Sequence, residues 1–167
     1  MPSSTQSTLV TNAFNQYIGK AGHLAVMAEF LLRGWNVAIP EVDAGDDIFV
    51  VQDDNGTLRR VQVKTSMATE RSKTFSGQFQ IPLKQLRNIR DILVHYVLIV
   101  RDKDKWTTPV IISQDILLDY FENSKIGSEH NGYINLYLSY SPDKVECSGL
   151  DFSSHVGDYT DFPVLEH

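Results

Sequence analysis

The chain has 167 residues, 42% of them hydrophobic and 22% charged, with a formal net charge of −6 and a pI near 5.3. That length suits one domain with a single core, and the acidic balance argues against a protein that coats nucleic acid through net positive charge alone. No apolar run approaches the roughly 18 residues that a membrane span needs, and the N-terminus lacks the basic and apolar regions of a secretory signal.

One cysteine, Cys147, rules out an intramolecular disulfide and suits a reducing compartment, so a cytoplasmic location is expected. Leu165, Glu166 and His167 read as the remnant of an affinity-tag linker. The domain is taken as residues 1–164, with its core in 15–112.

Residues 1–12 are polar and read as frayed. Helical spacing follows over 15–33, where Leu24, Met27, Ala28, Leu31 and Leu32 recur at steps of three and four. Gly34 stands where a helix C-cap glycine would. Three strands are expected next, at 36–39, 47–52 and 58–65. Asp53, Asp54, Asn55 and Gly56 lie between the last two, and Asn-Gly is a hairpin turn signal. Residues 65–77 read as a loop rich in Ser, Thr and basic side chains.

Residues 78–81 alternate as a short strand, and Pro82 suits the first turn of a helix running to about residue 90. Strands are expected at 94–101 and 106–112. Ser113 caps a helix over 114–123, whose buried face is Ile116, Leu117, Tyr120 and Phe121. A last strand covers 134–140, and the acidic tail from Pro142 carries no clear pattern. The order describes an α/β or α+β domain with a mixed sheet and flanking helices.

Charge is unevenly spread. Residues 59–90 hold eight basic side chains against one acid, Glu70, a net of +7, which leaves −13 for the rest. The segment is either a solvated surface balanced by acids elsewhere or a surface for polyanions.

In the strand 58–65, Val61 and Val63 fall on one face and Arg60, Gln62 and Lys64 on the other. Asp47 opens the antiparallel neighbour, after Gly45, which permits a tight backbone path. An acid, an amide oxygen and an ammonium can therefore meet across the ladder. A hard cation such as Mg²⁺ takes oxygen ligands and keeps several waters. It acidifies water and polarises a phosphorus centre, while a lysine counters the developing charge. Such a group is equipped to hydrolyse a phosphodiester.

The stretch Pro40, Asp43, Gly45, Asp47, then a hairpin, then Gln62, Val63 and Lys64, resembles the PD-(D/E)XK nuclease superfamily, including its Holliday junction resolvase-like and homing-endonuclease-like members. The resemblance implies a restriction-endonuclease-like αβββ core over about residues 15–66. It implies cleavage of DNA with Mg²⁺, Mn²⁺ serving as a substitute, and Asp47, Gln62, Lys64 and Glu29 as catalytic residues. Asp47, Gln62, Glu29 and the Val63 carbonyl would be metal ligands. Gln62 stands where the pattern has a carboxylate, which weakens the hold on a cation. It leaves a second expectation, a catalytically silent domain of this fold that binds DNA or a protein. Glu29 either points to the metal or lines a solvent-facing stripe; Asp46 competes with Asp47; Asp43 shapes the turn.

Arg59, Arg60, Arg71, Lys73, Lys84 and Arg87 would contact DNA phosphates. A homodimer is expected by analogy. His23, His95, His130 and His155 show no metal-ligand spacing, and Trp35 and Trp106 read as core.

Overall fold

The chain opens on α1 (Ser4–Leu32), 29 residues long. The computed structural model describes the backbone of residues 4–42 and 45–166, and side chains from residue 14 onward. The helix starts well before the expected residue 15, because its first turns carry no regular apolar stripe. It ends as expected at Gly34, whose φ is +85°. The Trp35 N–H returns to Phe30 O at 3.1 Å and the Gly34 N–H to Leu31 O at 2.9 Å, satisfying carbonyls that the helix leaves over.

Three strands follow, β1 (Asn36–Ala38), β2 (Ile48–Val51) and β3 (Leu58–Met67). Then come β4 (Thr69–Arg71), β5 (Thr74–Pro82) and the short helix α2 (Leu83–Arg87). The stretch expected as a loop at 65–77 is thus mostly strand, turned at Ser72 with φ +32°. Next are β6 (Val94–Asp102), β7 (Lys105–Trp106), β8 (Val110–Ser113) and α3 (Gln114–Glu122). The chain closes with β9 (Ser128–His130), β10 (Tyr133–Tyr140), β11 (Val145–Cys147) and β12 (Leu150–Asp151), then a 3₁₀ turn at Ser153–His155.

The strands form two sheets. The first runs β1-β2-β3-β6-β7, with β8 also on β6. It is mixed: β3 and β6 are parallel, from Arg60↔Val94 to Met67↔Arg101, and the other pairs are antiparallel. The second is antiparallel and runs β12-β11-β10-β5-β4, with β9 on β10. The α/β class with a mixed sheet and the opening αβββ order are both present; the second sheet was not expected.

Two apolar layers hold these parts together. Val61, Val63, Val97, Ile99 and Ile111 face α1 and cluster with Val26, Phe30, Trp35 and Phe162. Residues of opposite parity, including Tyr96, Leu98, Val100 and Ile112, pack on Phe79, Ile81, Leu136 and Leu138 of the second sheet. The first sheet is therefore covered on both faces, which accounts for the unbroken apolar run in β6.

The buried side of α1 is not the expected stripe. Val26 and Phe30 are buried, whereas Leu24 and Leu31 are each 53% exposed and Leu32 is 82% exposed. Gly22 marks the closest approach, since a Cβ there would lie 2.0 Å from Thr65 Cγ2 on β3. Of the expected linker remnant, Leu165 donates its N–H to Arg33 O at 2.8 Å and packs against the core cluster under α1. Among the described residues no helix is long and apolar enough to cross a membrane.

Candidate active site

The β2–β3 hairpin places Asp47 next to the middle of β3. Regular pairing ends at Ile48↔Val61. One residue earlier the Asp47 N–H still reaches Val61 O at 2.9 Å, but it is the Asp47 carboxylate that accepts the Val63 N–H, at 2.7 Å. A side chain thus takes the donor that a continuing strand would have used. Gln62 and Lys64 flank Val63 on the strand, so the acid, the amide and the ammonium are gathered around one peptide unit.

Past Val61 no described strand pairs with that edge of β3, and an open cleft of about 620 Å³ lies alongside it. Val63, Lys64 and Thr65 form one wall, Gln78 and Gln80 of β5 another, and Asn15 and Ile18 of α1 a third. Ser66 Oγ accepts the Gln78 N–H at 2.9 Å, which fixes the second sheet against this part of β3.

Gln62 is 5% exposed, and its Oε1 has no hydrogen-bond partner among the described residues. Burying an acceptor without a donor costs about 1–3 kcal/mol. A cation is one species that would satisfy that oxygen, and the Asp47 carboxylate and the Val63 carbonyl are oxygens of the kind that would join it in holding one. No cluster of three or more His, Cys, Asp or Glu side chains able to hold a metal occurs among the described residues. Oxygen donors of this type, few in number, suit a hard cation that keeps much of its water.

Asp46 and Asp47 prove to have separate work. Asp46 is 5% exposed and faces Arg60, which is 7% exposed. Arg60 Nη2 donates to both Asp46 oxygens at 2.7 Å, Nε donates to Oδ2 at 3.1 Å, and Nη1 donates to Ile92 O at 3.0 Å. The guanidinium expected to meet DNA phosphates is thus spent inside the fold. Alternation put Arg60 on the polar face of β3, but there Asp46 and the segment between α2 and β6, which supplies Ile92 O, enclose it.

Glu29 is not beside Asp47. It accepts from Arg33 Nε at 3.0 Å and borders a different cleft, with Ala25, Trp106 and Tyr159. The titratable α1 residue beside Asp47 is His23, which histidine spacing alone does not single out. Burial holds the His23 imidazole below the usual histidine range, against the opposing pull of the Asp47 carboxylate and a hydrogen bond to the Asp47 backbone. Its Nε2 is buried without a partner among the described residues.

The remaining basic residues are scattered. Arg71, Lys73 and Lys84 are exposed, and exposed Arg87 pairs with Glu122 at 3.4 Å. Arg59 is half-buried, its Nε 3.4 Å from Asp161 O. Arg71 closes β4, and Lys73 stands in the β4–β5 turn beyond the cleft. Asp43, assigned to the turn before Asp47, lies outside the described residues. His95 is buried with Nε2 2.8 Å from Asp161 Oδ2, and Trp35 is core, 1% exposed.

No family model and no curated protein matches the chain. Among solved structures, a bacterial homing endonuclease, I-Ssp6803I, is similar over 72% of this chain and 73% of its own, at 18% identity and a TM-score of 0.43.

Proposed function

We propose that the chain is a divalent-cation-dependent DNA endonuclease that hydrolyses phosphodiester bonds at the open edge of β3. The observation that carries this reading is the buried, unsatisfied Oε1 of Gln62, one residue along β3 from the Val63 N–H that fixes the Asp47 carboxylate. Lys64 lines the cleft alongside. When bound, Mg²⁺ or Mn²⁺ would supply Lewis acidity toward phosphoryl oxygens and toward water.

The chain's own residues do the rest. Asp47, Gln62 and the Val63 carbonyl hold the cation at the strand edge. The Lys64 ammonium counters charge that builds on the phosphoryl oxygens. The Asp47 carboxylate is oriented before substrate arrives, because turning it away would strand the Val63 N–H. Gln62 contributes no charge, so the site holds a cation less tightly than a pair of carboxylates would, and activity should need a higher cation concentration. Gln78 and Gln80 form the wall facing Lys64, and Arg71 lies further along the same sheet, so this is the side on which a duplex would rest.

The test is cleavage of supercoiled plasmid and of a four-way junction in Mg²⁺, Mn²⁺ or EDTA. Wild type should cut only with a divalent ion, and Lys64→Ala should be inactive while melting like wild type. Equal cutting by the two proteins would remove Lys64 from the mechanism. Preference for the junction would identify a branched substrate. A second reading is favoured by the neutral Gln62: a catalytically silent domain that binds DNA or a protein. It expects salt-sensitive binding with no turnover in either metal.

A further inference from the structure

The outer face of α1 carries an apolar stripe that no described residue covers. Phe14, Tyr17, Ala21, Leu24, Ala28 and Leu31 are separated by steps of three, four, three, four and three residues, and all six are exposed. That is the a/d repeat of a coiled coil, sustained over more than two heptads. The buried stripe lies elsewhere on the helix, at Gly22, Val26 and Phe30. A helix apolar on two sides is one that has neighbours on two sides. The neighbours described within this chain, the first sheet with Tyr159 and Phe162 of the C-terminal segment, pack at the buried stripe and not on this one.

The occupant is argued from the repeat and from the area. Heptad stripes are self-complementary, large residues (Phe14, Tyr17, Leu24, Leu31) alternate with small ones (Ala21, Ala28), and no charged side chain interrupts them. Phe14 is 52% exposed, Tyr17 76%, Leu24 and Leu31 53% each and flanking Leu32 82%. At roughly 200 Å² for a large side chain, they leave about 600 Å² open per copy. Two copies would bury about 1,200 Å², where specific, stable interfaces begin. A polyanion has no use for this surface, and a membrane-surface helix would carry basic residues beside it; Lys20 is the only lysine or arginine in α1.

We propose that a second copy of this chain packs its α1 on this stripe, forming a homodimer through a two-helix seam. Because Asn15 and Ile18 of the same helix line the β3 cleft, the seam joins two clefts in one particle. The proposal does not depend on the nuclease reading.

Sedimentation equilibrium of the full chain across the micromolar range tests it, with Leu24→Glu/Leu31→Glu as the variant. Both leucines lie outside the protomer's core, so circular dichroism should match wild type, and Tm should fall only as far as that of wild type diluted below its dimer dissociation constant. The dimer dissociation constant should rise at least about 100-fold, since each dimer would bury four carboxylates in an apolar seam. A second variant, Leu24→Cys, should form an intermolecular disulfide on oxidation, without background from Cys147, which is buried. A monomeric wild type, or a dimer indifferent to the two glutamates and not cross-linked through position 24, would overturn the assignment.

Discussion

Asp46→Asn and Asp47→Asn change neighbouring residues by the same atom, yet should have opposite consequences. Asp46 sits at 5% exposure and accepts three hydrogen bonds from an Arg60 that is 7% exposed. Asparagine there keeps the shape but removes the charge and one acceptor, leaving a buried guanidinium with Ile92 O as its remaining full partner. Breaking a buried pair from one side costs about 3–5 kcal/mol. For a domain of this size that lowers Tm by roughly 6–20 °C. Asp47 is half-buried, and the amide oxygen of an asparagine can still accept the Val63 N–H, so that substitution should cost about 1 kcal/mol or less. Urea unfolding at pH 7.5, followed by tryptophan fluorescence, gives both values, and the plasmid assay gives activity. The expected pattern is an unstable but active Asp46→Asn and a stable but inactive Asp47→Asn. An Asp46→Asn protein that melts within 1 °C of wild type and no longer cuts would exchange the roles of the two aspartates.

Three further outcomes follow from the same geometry. Gln62→Leu removes an unsatisfied buried oxygen, so it should raise stability by about 1–2 kcal/mol while abolishing cleavage; a loss of stability would mean that the Gln62 amide, as oxygen or as NH2, has a partner in the folded protein. Gly22→Ala should destabilise by about 1–3 kcal/mol despite alanine's better helix propensity, because its Cβ meets Thr65 Cγ2, and Thr65→Ser should restore most of the loss. If urea titrations find the single variant as stable as wild type, α1 does not approach β3 that closely. Burial lowers the pKa of both His23 and His155 from 6.5. The unfolded chain therefore binds protons first, and stability should fall as pH drops below about 6.5, with His155→Asn reducing that slope; stability that is flat or rising on acidification would contradict it.

Much of the site's skeleton was readable along the chain because it is local. The Asn55-Gly56 turn has Gly56 at φ +71°, and alternation put Val61 and Val63 in the core. Together they set Asp47 opposite β3 without any long-range information. Gly34 ended α1 for an equally local reason. What failed depended on partners distant in sequence. Arg60 reads as solvated until Asp46 and Ile92, 32 residues on, are brought around it. Glu29 shares α1 with His23, but which of them meets β3 depends on how the helix is rotated about its axis. Leu24 and Leu31 outcompeted Val26 and Phe30 as an apparent core stripe, since periodicity cannot rank two apolar faces of one helix. The β4–β5 turn went unread because Ser72 and Lys73 carry no glycine, asparagine or proline signal.

The open edge of β3 bears on solubility as well as on access. A strand with one side unpaired is a template on which other extended chains can grow, and proteins commonly guard such edges with lysine. Lys64 stands on that stretch, so on the proposed reading one side chain would both meet phosphate charge and guard the edge. Replacing it with a neutral residue removes both functions at once. An inactive Lys64 variant is therefore informative only while it stays dispersed, and light scattering at the assay concentration distinguishes lost chemistry from lost colloidal stability.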